Sequence, residues 1–221
     1  MTTRVFLIRH GATTLTAEDR FAGSTDVELS DGGREQAARL GERLADEKLA
    51  AIWCSPLKRT RDTAELVARP HRLAPIARDG LREIDHGRWE QMRRAEVEKQ
   101  FADEYAAWEM DPFTFAPQGG ESGLAVMARA LPVVRAAVTE HAGRCIALVS
   151  HKATIRLVIA SLLGIDARGY RDRLDLAPAS LSVLDFKDPV RARLVAFNDT
   201  SHYARQPRRS ETALSKWWDR T

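Results

Sequence analysis

The chain has 221 residues, 44% of them hydrophobic, enough to bury the core of one globular domain. Its 34 Lys and Arg against 31 Asp and Glu leave a net charge of +3, scattered in both signs, which argues against a nucleic-acid partner. No apolar run approaches the ~20 residues of a membrane span, no signal peptide precedes the first apolar segment, and Cys54 and Cys145 lack metal-ligand spacing. The expectation is a soluble, cytoplasmic protein with reduced thiols and no membrane partner.

Val5-Phe6-Leu7-Ile8 is an uninterrupted apolar run, the pattern of a strand buried on both faces, and it stops at Arg9-His10-Gly11. A polar loop containing Thr16 and Gly23 follows and should lie over that strand end. Ser30 can cap a helix carrying Ala37, Leu40, Gly41, Leu44 and Ala45 at helical spacing, to about residue 47. Ala50-Ala51-Ile52-Trp53-Cys54 is a second apolar strand. Ser55-Pro56 after it suits an N-cap and first helical position, which puts Arg59 in the first turn of a helix ending near Pro70. A cation there strengthens the anion-attracting helix N-terminus, although Lys58 and Arg61 beside it are equally consistent with a solvated face.

A short strand is expected around Pro75-Ile76-Ala77, then a charged loop from Leu81 to Glu90 containing Glu83. Val97, Phe101, Tyr105 and Trp108 give a broken helical stripe over 93–110, read as core or lid. After Gly119-Gly120-Glu121-Ser122 a long helix begins, with Pro132 expected to kink or break it. Cys145-Ile146-Ala147-Leu148-Val149 is a third apolar strand followed by Ser150-His151, and the next helix is stopped by Gly164. Two more strands are expected over 180–186 and 192–197. Residues 1–203 read as one domain and 204–221 as a C-terminal tail, with Arg205, Arg208 and Arg209 on a solvated face and Trp217-Trp218 near its end.

Apolar strands alternating with helices predict an α/β three-layer sandwich, a mostly parallel central sheet with helices on both faces. Its strand ends share one edge, which gathers Arg9, His10, Arg59 and His151. Two guanidiniums and two imidazoles suit a phosphoryl group, because neutralising the charge on its oxygens is the main catalytic need. With no carboxylate cluster for a metal and no Walker-type loop, a histidine nucleophile is more economical than metal-activated water, so no metal and no cofactor are expected.

These motifs, in this order, resemble the histidine phosphatase superfamily, the phosphoglycerate-mutase-like proteins. The resemblance rests on Arg9-His10-Gly11 with Thr13, Ser55-Pro56-Leu57-Lys58-Arg59-Thr60, Leu81-Arg82-Glu83 and Ser150-His151. Arg20, Gly23, Gly120-Glu121-Ser122 and Asn198-Asp199-Thr200 extend it over about residues 4 to 200. It implies that His10 becomes a phosphohistidine, that Arg9, Arg59 and His151 hold the phosphate, and that Glu83 gives a proton to the leaving alcohol and later activates water. Asp85 and Glu90 are alternative carboxylates, and a nearby Trp89 could desolvate Glu83. The chain departs from the pattern at Ala12 and Thr16, at Gln91 where a glycine is expected, and at Lys152 where a glycine usually follows the second histidine. Thr16, Gly23 and Lys152 are therefore candidate substrate contacts, with a solvent-facing lysine as the alternative for Lys152. The Glu83 loop with Trp89-Glu90 resembles the phosphatase branch. The implied function is a metal-independent phosphomonoesterase acting on a small phosphorylated metabolite. The alternatives are a mutase-type phosphoryl transfer and a non-catalytic phospholigand-binding member.

Overall fold

The computed structural model describes residues 1–17 and 20–204, the side chains of Thr16 and Ala17 excepted. The tail from residue 205 onward and the Thr16 side chain lie outside the described residues. Six strands form one mixed sheet: β1 (Thr3–Arg9), β2 (Leu49–Cys54), β3 (Ile76–Ala77), β4 (Cys145–Ser150), β5 (Leu181–Phe186) and β6 (Ala192–Asp199), in the order β3-β2-β4-β1-β5-β6. The pairs β3·β2, β2·β4 and β4·β1 are parallel, while β5 runs antiparallel to both neighbours. The α-helices among the described residues are α1 (Asp31–Arg43), α2 (Lys58–Ala68), α3 (Arg94–Gln100), α4 (Ala102–Met110), α5 (Gly123–Glu140), α6 (Lys152–Leu163) and α7 (Tyr170–Arg173), with short 3-10 turns between some of them.

Successive side chains of a strand point to opposite faces, so a wholly apolar strand serves two cores at once. Val5 and Leu7 of β1, Ala51 and Trp53 of β2, and Ile146 and Leu148 of β4 pack into one cluster with Val126, Val134, Ile155 and Ile159 of α5 and α6. The alternate residues Phe6, Ile8, Ile52, Cys54, Ala147 and Val149 pack with Leu40 of α1 and Ala64 and Val67 of α2. This is the expected three-layer arrangement. Phe21, Trp89, Val97, Tyr105 and Trp108 form a separate aromatic cluster beneath the loops, so the stripe on α3 and α4 is core to that cap.

Two local expectations are corrected. The helix after β2 begins at Lys58 with Leu57 as its N-cap, not at Ser55-Pro56, and its orphan Lys58 N–H is taken by Asp26 Oδ1 at 2.6 Å from the loop above. The break that is one of the two outcomes expected at Pro132 does not occur, and helix α5 continues through it to Glu140. Pro132 and Ala128, whose carbonyl loses its amide partner, both lie on the exposed face, where water can satisfy that carbonyl.

Candidate active site

The edge where β1, β2 and β4 end carries the site. The His10 N–H donates to the Ser150 carbonyl (3.1 Å) and the Ser55 N–H to the Val149 carbonyl (3.0 Å), which locks the strand ends side by side. Beyond β1 the chain must pass close to the start of α1. A Cβ on Gly11 would lie 2.3 Å from the Gly33 carbonyl oxygen, so only glycine permits that approach.

His10 and His151 face each other with ring centroids 5.2 Å apart. His10 Nδ1 lies 2.7 Å from the Gly11 carbonyl, which can only accept, so Nδ1 carries the proton and Nε2 keeps its lone pair. Burial, then the Arg59 and Arg9 charges, hold the His10 imidazole well below its ordinary 6.5. His151 is lowered in the same way, by burial and then Arg59. Its Nε2 meets Ser55 Oγ at 2.8 Å, and its buried Nδ1 has no protein partner. A hydroxyl that gives its hydrogen to Nε2 leaves the ring proton on Nδ1, a donor for a phosphoryl oxygen. Ser55 is thus a positioning residue for His151, not a helix cap.

The two guanidiniums are buried and tethered by backbone carbonyls. Arg9 Nη1 donates to Leu176 O (2.5 Å), its Nε has no protein partner, and burial lowers the group to about 10. Arg59, 2% exposed, donates from Nη1 to Thr25 O and from Nη2 to Gly23 O, both at 2.7 Å. Gly23 therefore enters the site through its carbonyl. Its loop is held in turn by Glu90, which accepts from the Ser24 and Thr25 N–H groups and from the His86 N–H, all at 3.0 Å.

Glu83 sits at the N-terminus of α6. Its Oε2 accepts from Ala153 N–H (3.1 Å), and its Oε1 from Thr154 N–H (3.2 Å), Thr154 Oγ1 (3.1 Å) and its neighbour Ile84 N–H (3.0 Å). These bonds tie it to the helix end, and Trp89 of the same loop is fully buried in the aromatic cluster. Arg129 fixes the loop by donating to the Gly80, Arg82 and Glu83 carbonyls while paired with Glu121. Of the other carboxylates, Asp85 caps its own turn at Gly87 N–H (2.7 Å) and Glu90 is spent on the Gly23 loop. Lys152 opens α6, its ammonium 3.6 Å from Asp175 Oδ1. Gln91 takes the left-handed backbone (φ 65) that explains a glycine preference there, and its carbonyl accepts from Arg20 (2.8 Å).

Sequence reasoning missed Ser55, Glu90, Thr154 and Arg129 as supports of the site. Glu90 carried a signal in its place beside Trp89, and Ser55 in its place at the head of the motif that holds Arg59.

Two consequences are measurable. A Cβ on Gly23 would lie 1.9 Å from Glu90 Oε1 and 2.7 Å from the Ile84 carbonyl, at a backbone φ of +28. Gly23→Ala should displace the loop that holds Arg59 and lower kcat/KM by ~10- to 100-fold. An unchanged constant would show that these carbonyls do not position the guanidinium.

The second concerns acid stability. Both imidazoles stay neutral in the folded chain but protonate near 6.5 when unfolded. Below that pH the unfolded chain binds more protons, so stability is intact above it and falls as the pH drops. The slope should approach ~1.4 kcal/mol per pH unit for each histidine. Urea midpoints at about pH 7, 6 and 5 measure this, and a flat profile would contradict it.

Comparison with known proteins gives the family. The model of the histidine phosphatase superfamily (branch 1) matches residues 5–200. Phosphoserine phosphatase 1 of Hydrogenobacter thermophilus is 34% identical over 163 residues, 74% of this chain and 77% of that protein. The glucosyl-3-phosphoglycerate phosphatase of Mycolicibacterium vanbaalenii is 38% identical over 171 residues, 73% of this chain and 75% of its own length. Among solved structures, YhfR of Bacillus stearothermophilus superposes with a TM-score of 0.85 at 30% identity, covering 90% of this chain and 98% of that one. The chain belongs to the histidine phosphatase superfamily, branch 1.

Proposed function

We propose that the protein hydrolyses monoesters of a small phosphorylated metabolite in two steps, with His10 as nucleophile. One observation carries this reading: the Gly11 carbonyl fixes the His10 proton on Nδ1, which leaves Nε2 as a lone pair flanked by two buried guanidiniums and His151. Nε2 attacks phosphorus and the ester P–O bond breaks. Arg9 and Arg59 neutralise the phosphoryl oxygens and the His151 Nδ1–H donates a hydrogen bond to one of them, work that electrostatic preorganisation does best in a dry site. The leaving oxygen takes a proton from Glu83, whose Oε2 accepts a single hydrogen bond and has room to carry one. Water then attacks the phosphohistidine and gives its proton back to Glu83, and the P–N electron pair returns to Nε2 as inorganic phosphate leaves.

Two buried guanidiniums beside the paired histidines supply the positive charge that a metal ion would otherwise bring to the phosphoryl oxygens, which supports metal-independent chemistry. The phosphatase names of the relatives support hydrolysis over transfer. Among the described residues no helix is long and apolar enough to cross a membrane. The unpaired Cys54 and Cys145 suit a reducing compartment, the cytoplasm.

The test is phosphate release from a panel of phosphomonoesters with a chelator present. Release is expected. Interconversion of phosphoglycerate isomers without release would make the protein a mutase, and neither reaction would make it a binding protein.

A further inference from the structure

Beside the phosphoryl position lies a group of charges that the two-step hydrolysis does not use. Lys152 and Arg156 stand one helical turn apart on α6. Lys152 Nζ is 3.6 Å and Arg156 Nη2 3.4 Å from the same oxygen, Asp175 Oδ1, which also accepts the Leu176 N–H at 2.8 Å. Charge-assisted hydrogen bonds between such groups run to ~2.7–2.9 Å, so neither cation is well served.

The Arg156 side chain is 4% exposed, and its Nε is buried without a partner. Lys152 is about one-third exposed, so the group opens to solvent on one side. Arg9 adds a third positive charge, its Nη1 on the Leu176 carbonyl next to Asp175. The other nearby carboxylate, Glu83, is occupied by the N-terminus of α6. Burial, with Arg156 and Arg9 close by, pushes the Lys152 ammonium down to about 7 despite Asp175. Three cationic side chains, Lys152, Arg156 and Arg9, thus gather about Asp175 and the Leu176 carbonyl beside it.

We propose that Lys152 and Arg156 form a subsite for a carboxylate, and that the preferred substrates are phosphomonoesters carrying a carboxylate a few bonds from the ester. This rests on the phosphatase reading only for where the phosphoryl group lies. Arg9, Arg59 and the two histidines already surround that group. Lys152, the residue directly after His151, stands beside them on the next helix. With Lys152 protonated, Lys152 and Arg156 bring two positive charges against the single negative charge of Asp175, a surplus that one carboxylate balances while holding the proton on Lys152. A carboxylate entering here gives Lys152 a close anion and offers Arg156 Nε the acceptor it lacks. The lysine that departs from the family pattern thereby becomes the specificity determinant.

The test uses equilibrium binding, so that it is independent of turnover. In the full-length chain with His10→Asn to prevent hydrolysis, calorimetry compares 3-phosphoglycerate with glycerol 3-phosphate, which differ in a carboxylate against a hydroxymethyl group. The carboxylated ester should bind at least ~10-fold more tightly. Adding Lys152→Met should remove most of that preference while glycerol 3-phosphate changes by no more than ~threefold. Asp175→Asn, which removes the competing anion, should increase the preference. A chain with Lys152 that shows no preference for the carboxylated ester overturns the proposal. So does an equal loss for both ligands in Lys152→Met, since the lysine would then serve the transferred phosphate. Failure of the wild-type chain to release phosphate from any ester would count against the phosphatase reading alone.

Discussion

His10→Ala should lower kcat by ~10⁴- to 10⁶-fold, the range seen when the nucleophile of a covalent mechanism is removed. The size of the loss follows from the site's construction. His10 is 6% exposed, its tautomer is set by Gly11, and its charge state by burial with Arg59 and Arg9. His151, the only other imidazole described at this edge, has its Nε2 committed to Ser55 and cannot substitute. Circular dichroism and a urea melt should show that His10→Ala remains folded, because the strand ends are tied by backbone bonds that the substitution leaves intact. Steady-state phosphate release decides the matter, and a variant within tenfold of wild type would remove His10 from the chemistry.

Glu83→Gln should cost ~10²- to 10⁴-fold on alkyl phosphates, the usual worth of general acid catalysis. An alkoxide is a poor leaving group and needs the proton, whereas a nitrophenolate does not, so the loss on an activated aryl phosphate should be much smaller. Glutamine keeps a carbonyl oxygen that can accept from Ala153 or Thr154, which limits structural damage at the start of α6. Equal losses on both substrates would mean that Glu83 acts as a helix cap alone. Parallel assays of Asp85→Asn and Glu90→Gln would then locate the acid. Glu90→Gln is expected to weaken both substrates alike, because its carboxylate holds the loop under Arg59.

The parts of this site that could be read from the sequence are those governed by period and topology. Val5 to Ile8, Ala51 to Cys54 and Ile146 to Val149 have no polar alternation, which identifies strands covered on both faces. Parallel strands then deliver Arg9, His10, Arg59 and His151 to one edge without further information. What stayed hidden depends on contacts between distant residues. Ser55 carries every local mark of a helix cap, yet its hydroxyl meets a ring 96 positions away. Glu83 is held by Ala153 and Thr154, some 70 positions on, which no local pattern around Glu83 announces. The Pro132 expectation came from a sound local rule that an exposed helix face relaxes. Lys152 stood out in the sequence as a departure, but its use required Arg156 and Asp175 beside it.

The central claim is that phosphate passes through a covalent bond to His10, and it can be tested by capturing that bond. Wild-type protein mixed with a ³²P-labelled phosphoester and quenched within milliseconds should carry label that is labile in acid and stable in base. Peptide mapping under alkaline conditions should place that label on His10, and the His10→Ala chain should carry none. Phosphate released at full rate with no protein-bound label at any quench time, or with the label on another residue, would contradict it.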